Sequence, residues 1–339
     1  MPTTEVVQEA VKVPSLRELG ELGIIQIMEH TLGKSSRTVV GFGDDVSVVK
    51  LTKGKVAVLK TDMLVGSTDV PPGMTMRQLA RKAVVANVSD LAAKGVRPLA
   101  GLVALGLPAR LSRQDVQGIA AGLRDGANEY GFPLVGGDTN ESNDLTISIA
   151  LFAVADRRRV VLRSGAKPGD IVAVTGEFGS TSAGLMALLN KKWHPRRLPR
   201  PLYDAVYKPT AQLKLGLRLA SSKAITASID SSDGLAWSLH EISKASNVGI
   251  LIDNVPISRT AREFATRFSC NAANFALYGG EEYHLVVTVK RDRFKAARQV
   301  SGGKLHPIGL VTGRFRGVRM KHAEEEVGIP RKGWEHFKK

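Results

Sequence analysis

A carboxylate stands in the middle of what otherwise reads as the buried stretch of a helix. From residue 83 to 93 the chain runs Ala-Val-Val-Ala-Asn-Val-Ser-Asp-Leu-Ala-Ala, with Asn87 one turn before Asp90 on the same face. Burying an ionised carboxylate is costly unless it is paired or bound to a cation. Any fold that accepts this helix must therefore bring Asp90 a partner. The helix is well marked: Thr75 with Gln78 makes a capping-box pattern at its start, and Gly95 and Pro98 close it after Lys94.

Four further acidic groups sit beside Gly, Ser or Thr at the ends of apolar segments. They are Gly43-Asp44-Asp45, Thr61-Asp62, Gly136-Gly137-Asp138-Thr139 and Asp230-Ser231-Ser232-Asp233-Gly234. Each alone has an ordinary reading: a tight turn, a strand-end carboxylate tying up loop amides, or, for Asp233, a helix N-cap. Together they suggest a site where acids are gathered. Clustered carboxylates repel and take up protons unless a multivalent cation holds them. All-oxygen ligation suits Mg²⁺, which commonly keeps waters and bridges to phosphates. The glycines fit a phosphorylated ligand too, since Gly136-Gly137, Gly176 and Gly179 would allow close backbone approach.

The rest of the chain bounds the setting. Its 339 residues suggest two domains of about 150 residues each. No run of 18 apolar residues occurs, so no membrane span is expected. Residues 1–13 carry Glu5, Glu9 and Lys12 and lack the layout of a secretory signal. The lone Cys270 excludes internal disulfides and a cysteine zinc site, and a cytoplasmic setting is expected. The formal charge of +16 is concentrated at Arg157–Arg159, Lys191–Arg200 and the tail, which read as solvated loops. No zinc-finger spacing or aromatic RNA-binding signature goes with it, so no nucleic-acid partner is expected.

Strands are expected at Lys55–Met63, Leu145–Ala155 and Ile171–Thr175, and near Ile250, Leu285 and, last, Ile308. Helices are expected at Ser112–Tyr130, Thr181–Asn190 and Ala211–Ser221, with a strand-turn-helix over Ile225–Ser246 and a loop over Trp193–Pro201. Asp156 to Arg159 reads as a domain junction. The familiar nucleotide fingerprints are missing: Met28 stands where a P-loop ending at Gly33-Lys34-Ser35 needs its first Gly, and Gly41-Phe42-Gly43 lacks a third Gly.

The acid groups occur in an order that resembles the thiamine-monophosphate kinase family. So do Asn87-Val88-Ser89-Asp90-Leu91-Ala92-Ala93, Arg163-Ser164-Gly165-Ala166-Lys167-Pro168-Gly169-Asp170, Gly279-Gly280-Glu281-Glu282-Tyr283 and Gly333-Trp334-Glu335-His336-Phe337. The likeness runs from about residue 15 to the C-terminus. It implies an α+β, two-domain aminoimidazole ribonucleotide synthetase-like fold, with domains at 1–156 and 157–339. In that fold the N-terminal sheet pairs across a homodimer into a barrel, and the C-terminal half is an α/β sandwich.

The implied activity is Mg²⁺-assisted phosphoryl transfer from ATP to thiamine monophosphate. By motif, Asp45, Thr61, Asp62, Asp90, Asp138, Asp230 and Asp233 would hold several Mg²⁺ ions, with Asp90, Asp138, Asp230 and Arg163 central to catalysis. Tyr130, Gly137, Asp138, Arg163 and Ser232 would face ATP, and Asp69, Glu281 and Trp334 the thiamine monophosphate. The chain departs from the family's common pattern at Lys60 (often Ser), Gly66 (Glu), Asp69 (His), Glu282 (Asp) and His284 (Glu).

Read from the residues alone, several positions stay open. Arg163 is a phosphate clamp or a surface residue of the basic linker, Trp334 a stacking surface or an anchor of the tail. Glu281 meets a cation or caps a strand end, and Tyr130 reads as core by periodicity. The implied chemistry needs no general base, because a monophosphate with a second pKa of about 6 is already largely ionised at neutral pH. The obstacle is repulsion between two polyanions, about 4 kcal/mol per unit pair at ~4 Å and an effective dielectric near ~20. Two alternatives are another ATP-using member of the superfamily, of the purine-ribonucleotide cyclo-ligase type, and a basic nucleic-acid-binding protein.

Overall fold

A computed structural model describes residues 15–33, 35–190, 197–323 and 325–337. The N-terminal reading over residues 1–13, Lys34 of the P-loop-like triplet, and residues 191–196 of the basic stretch lie outside the described residues. The chain divides into two compact units, residues 1–36 with 335–339, and residues 37–334. In the smaller, α1 (Leu16–Leu32) opens on a capping box between Ser15 and Glu18, and Gly20 at φ +63° interrupts it.

The larger unit holds two sheets. The first has six strands: β1 (Thr38–Val40), β2 (Ser47–Lys50), β3 (Lys55–Val65), β4 (Ala100–Leu107), β5 (Leu134–Glu141) and β6 (Thr146–Asp156). Their order is β1-β2-β3-β6-β4-β5, antiparallel except for the β4–β5 pair. Strand β6 alternates as expected for a sheet with one packed face: Ile147, Ile149, Leu151 and Ala153 are buried, while Phe152 and Val154 are exposed. The short α2 (Gly66–Asp69) follows β3, and α3 (Met76–Ala93) and α4 (Arg113–Tyr130) pack together over the inner face. Both long helices carry capping boxes, Thr75 with Gln78 and Ser112 with Asp115.

The second sheet has seven strands: β7 (Ile171–Val174), β8 (Ile225–Asp230), β9 (Gly249–Ile252), β10 (Leu285–Val289), β11 (His306–Thr312), β12 (Gly317–His322) and β13 (Glu325–Gly328). They are ordered β13-β12-β9-β11-β7-β10-β8. The helices of this half are α5 (Ser180–Leu189), α6 (Arg200–Tyr207), α7 (Leu213–Ser221), α8 (Leu235–Ser246), α9 (Arg259–Arg267), α10 (Ala272–Tyr278) and α11 (Phe294–Val300). The architecture is mixed α/β on two sheets. Helix α3 touches β3 and β6 of the first sheet and β8 and β10 of the second, which is why it is buried almost all round. One apolar cluster accordingly joins Val84 and Leu91 to Leu215, Leu219 and Leu285.

Three expectations need correction. Ile308 does not lie in the last strand; β12 and β13 follow, and β12 pairs parallel with β9. Part of the stretch read as a loop, from Arg200 on, is α6. Gly136-Gly137-Asp138-Thr139 is not a turn but the middle of edge strand β5. A Cβ on Gly137 would stand 1.7 Å from the Val103 carbonyl oxygen, so the glycine is demanded by the approach of β4. No helix among the described residues is long and apolar enough to cross a membrane.

Candidate active site

Strand β3 ends by carrying Lys60 and Asp62 toward α3. Register decides their direction: Lys60 pairs with Leu151 and Asp62 with Ile149, both inward-facing on β6. There the Lys60 ammonium lies 2.6 Å from Asp90 Oδ2 and 3.9 Å from Asp62 Oδ2. Asp90 thus has its partner, and the partner is an amine of the chain. Burial pushes the Asp90 carboxyl well above the usual range; Lys60 opposes that shift, while Asp230, Asp45 and Asp62 add to it. One turn back, Asn87 donates to the Ala83 carbonyl at 3.0 Å.

The Gly43-Asp44-Asp45 turn is held by two more cations. Lys94, fully buried at the end of α3, places its ammonium 2.7 Å from Asp44 Oδ1 and 2.7 Å from Asp45 Oδ2, and donates to the Ser228 carbonyl at 2.8 Å. Arg163 donates from Nε to Asp45 Oδ1 at 2.7 Å, and its backbone N–H donates to Asp44 Oδ2 at 3.0 Å. The same guanidinium reaches Glu241 at 3.2 Å, and Glu241 also pairs with Arg331, which stacks over Trp237 at 4.0 Å. Burial would raise the Asp45 carboxyl, but Arg163 and Lys94 outweigh it and hold the group below its usual value.

The loop after β8 brings a third group. Asp230 is buried; its Oδ1 accepts from the Ser232 hydroxyl at 3.0 Å, and the Ser89 hydroxyl of α3 stands beside the same carboxylate. Its carboxyl is raised by burial and by nearby Asp45. Asp233 does not cap α8: Gly234 occupies the N-cap and no side chain bonds there. The loop is instead the meeting place of two other motifs. The Glu281 N–H donates to the Ser232 carbonyl at 2.6 Å, and the Trp334 N–H to the Asp233 carbonyl at 3.0 Å. Glu281 and Tyr283 take positive φ angles of 61° and 53°, a strained pair held by these surroundings. Glu281 pairs with buried Lys82, whose ammonium also donates to the Asp69 carbonyl at 2.8 Å. The Asp69 side chain accepts from the Val65 N–H at 2.7 Å. Trp334 leaves 52% of its surface exposed.

Asp45, Asp62, Asp90 and Asp230 therefore come together, with Ser232, Asp233, Glu281 and Trp334 adjoining through the β8 loop. Four expected residues lie elsewhere, Gly137 on β5 opposite Val103 being one. Asp138 is exposed on the outer face of the first sheet, in register with Ala104, Ser148 and Met63. Thr61 shares that face, opposite Ala150. Tyr130 is buried, and its hydroxyl accepts from the Ala211 N–H at 2.9 Å, beside a cavity of about 500 Å³ that includes Arg97 and Arg218. Nor are Gly176 and Gly179 free for a phosphate: a Cβ on Gly176 would strike the His284 ring, and Gly179 donates to Glu282.

What the sequence reading missed are the cations. Lys82 lies within the same apolar helix as Asp90 and Lys94 stands at its C-cap, and the reasoning that singled out a buried carboxylate there applies to a buried ammonium. Among the described residues, no three Asp, Glu, His or Cys side chains already form a metal cage. The donor set still suits a hard divalent ion: Asp45, Asp62, Asp90 and Asp230 offer carboxylate oxygen alone, with no nitrogen or sulfur ligand among them.

Comparison with known proteins agrees over most of the length. Residues 43–155 match the family described as AIR synthase related protein, N-terminal domain, and residues 167–321 match the corresponding C-terminal domain. A thiamine-monophosphate kinase of Nitrosopumilus maritimus is 36% identical over 95% of this chain and 100% of its own. One of Pyrococcus abyssi is 35% identical over 96% and 97%. A solved structure described as AaThiL complexed with AMPPCP and TMP superposes with a TM-score of 0.82 at 31% identity, covering 96% of this chain and 99% of that one.

Proposed function

The chain belongs to the thiamine-monophosphate kinase family, and from that membership we propose that it transfers the γ-phosphoryl group of ATP to the phosphate of thiamine monophosphate, giving thiamine diphosphate and ADP. The observation that carries this is the convergence of buried Asp90 from α3 and buried Asp230 from β8 with the exposed Asp62 of β3, which opens their cluster to solvent. Three elements far apart in sequence place carboxylates there despite their mutual repulsion.

Asp62, Asp90 and Asp230 would hold Mg²⁺, which supplies charge neutralisation and alignment of the γ-phosphorus for in-line attack. The remaining work falls to the chain itself. Ser232 fixes Asp230 by hydrogen bonding, and Arg163 fixes the Asp44-Asp45 turn beside it. Lys82 ties Glu281 to the backbone of Asp69, so two acceptor-facing segments move as one piece. The open face of Trp334 offers a stacking surface for a cationic ring, with Glu281 supplying opposite charge nearby. Burial pulls the His284 pKa down to about 4, and its ring is engaged by the Glu177 carbonyl and Phe178.

The outer face of the first sheet supports a homodimer with paired sheets: Leu59, Met63, Leu102, Phe152 and Val154 are exposed on it. Asp138 and Thr61 lie on the same face, so a second copy would cover the two expected ligands that stand away from the cluster. We place the domain division at residues 156 and 157, and the enzyme in the cytoplasm.

The test is turnover of ATP with thiamine monophosphate, with and without Mg²⁺. Thiamine diphosphate should form only with the metal, and Asp90→Asn should lower kcat at least about a hundredfold while the fold is kept. Metal-independent turnover, or full activity in Asp90→Asn, would sink the assignment.

A further inference from the structure

Five carboxylates, Asp44, Asp45, Asp62, Asp90 and Asp230, are linked around the end of β3, and three cations of the chain stand among them: Lys60, Lys94 and Arg163. Lys94 and Arg163 are structural ties. Each is anchored to groups outside the cluster, Lys94 to the Ser228 carbonyl and Arg163 to Glu241. Lys60 is different. Among the described residues its ammonium pairs with the site's own acids alone, at 2.6 Å from Asp90 and 3.9 Å from Asp62, and its side chain retains 16% exposure.

We propose that Lys60 is a built-in cation of the phosphoryl-transfer site, standing where Asp62 and Asp90 would otherwise share a divalent ion, so that the chain binds one metal fewer than its carboxylates could hold. The inference rests on the kinase reading above.

Three observations carry it. Mg²⁺ binds carboxylate oxygen at about 2.0–2.1 Å in near-octahedral geometry. An ammonium 2.6 Å from Asp90 Oδ2 fills the space in front of that oxygen. Charge points the same way: with Glu241 and Arg331 included, six acids face four cations, and when all are ionised the excess of two negative charges is what one divalent ion neutralises. Finally, Lys60 sits on an eleven-residue strand paired with β6 along its whole length, so its backbone is fixed. A tethered ammonium cannot leave with the nucleotide product. It would keep Asp62 and Asp90 close between turnovers, when a free ion could dissociate. The other oxygens of Asp62 and Asp90, together with Asp230, remain for the metal that does bind.

The experiment counts Mn²⁺ bound per chain by the electron paramagnetic resonance signal of the free ion, on nucleotide-free full-length protein. Wild type, Lys60→Ser, Lys60→Met and Lys60→Arg are compared. Lys60→Ser should bind one more Mn²⁺ than wild type, and Lys60→Arg the same number as wild type. In chelator, both neutral variants should unfold at lower temperature than wild type and recover when Mn²⁺ is added. Lys60→Met keeps the apolar stem, so it reports the charge even if Lys60→Ser folds poorly. An unchanged count in a folded neutral variant overturns the proposal. Failure of the wild type to make thiamine diphosphate would overturn the kinase reading instead, leaving the count to judge Lys60 by itself.

Discussion

Arg163 holds Asp45 by a hydrogen bond from Nε to Oδ1 at 2.7 Å, joining the segment before the second sheet to a turn of the first. The guanidinium keeps 19% of its side-chain surface and pairs also with Glu241. Removing one member of a buried ion pair leaves the other charge uncompensated, an effect of about 3 kcal/mol. Arg163→Ala should therefore lower unfolding stability by that order, read from urea midpoints. Unchanged stability with a raised KM for ATP would show that Arg163 serves the nucleotide and not the frame.

How far such contacts can be read in advance depends on what signals each residue. Asp90 is legible because a carboxylate in an apolar helix demands an explanation, and the helix has caps at both ends of its pattern. β6 is legible because one face packs and the other does not. β5 is not, since nearly all of it is exposed and two glycines break any alternation. α6 is hidden for another reason: Pro199 and Pro201 read as loop, yet proline is favoured in the first turn of a helix, and here they stand at its N-cap and N2. The site divides the same way. Acids beside glycines mark themselves, but that Lys60 faces Asp90 depends on strand register, which one sequence does not display.

Glu282 allows a pH test. Burial raises its carboxyl to about 7, against 4.5 for the ordinary group, although the Gly179 and Thr181 N–H groups work the other way. The folded chain thus retains a proton that the unfolded chain has already released between these values. Stability from this group is greatest below pH 4.5 and falls as pH rises through 7. Above that window the charged form costs about 3 kcal/mol. Glu282→Gln keeps an acceptor for both N–H groups and cannot ionise. It should match wild type near pH 4.5 and melt roughly 5 °C higher at pH 8. A difference that does not vary with pH would show that the charge plays no part.

Gly333 tests the seat of Trp334. A Cβ there would lie 2.2 Å from the Asp233 carbonyl oxygen and 3.0 Å from Trp237 Cβ. Both are fixed parts of the β8 loop and α8, so Gly333→Ala must push the terminal segment outward. The expected result is a KM for thiamine monophosphate raised about tenfold, equivalent to about 1.4 kcal/mol, with the KM for ATP and the melting temperature little changed. A rise confined to the KM for ATP would place Trp334 on the nucleotide side.

Phe152 tests the open sheet. It lies directly opposite Leu59 in the β3–β6 register, and both are exposed on the outer face with Val154 and Leu102. Water tolerates single exposed apolar residues, but a contiguous patch on a sheet is a mark of association. Phe152→Glu places a charge in the middle of the patch, where a second copy would have to bury it beside its own counterpart. The charge stays in water in the isolated chain, so the fold should be unaffected. Sedimentation should show a dimer for wild type and a monomer for the variant, with turnover lost in the monomer if the covered face completes the site around Asp138 and Thr61. A wild-type monomer with full activity would assign the patch another role and leave those two residues outside the chemistry.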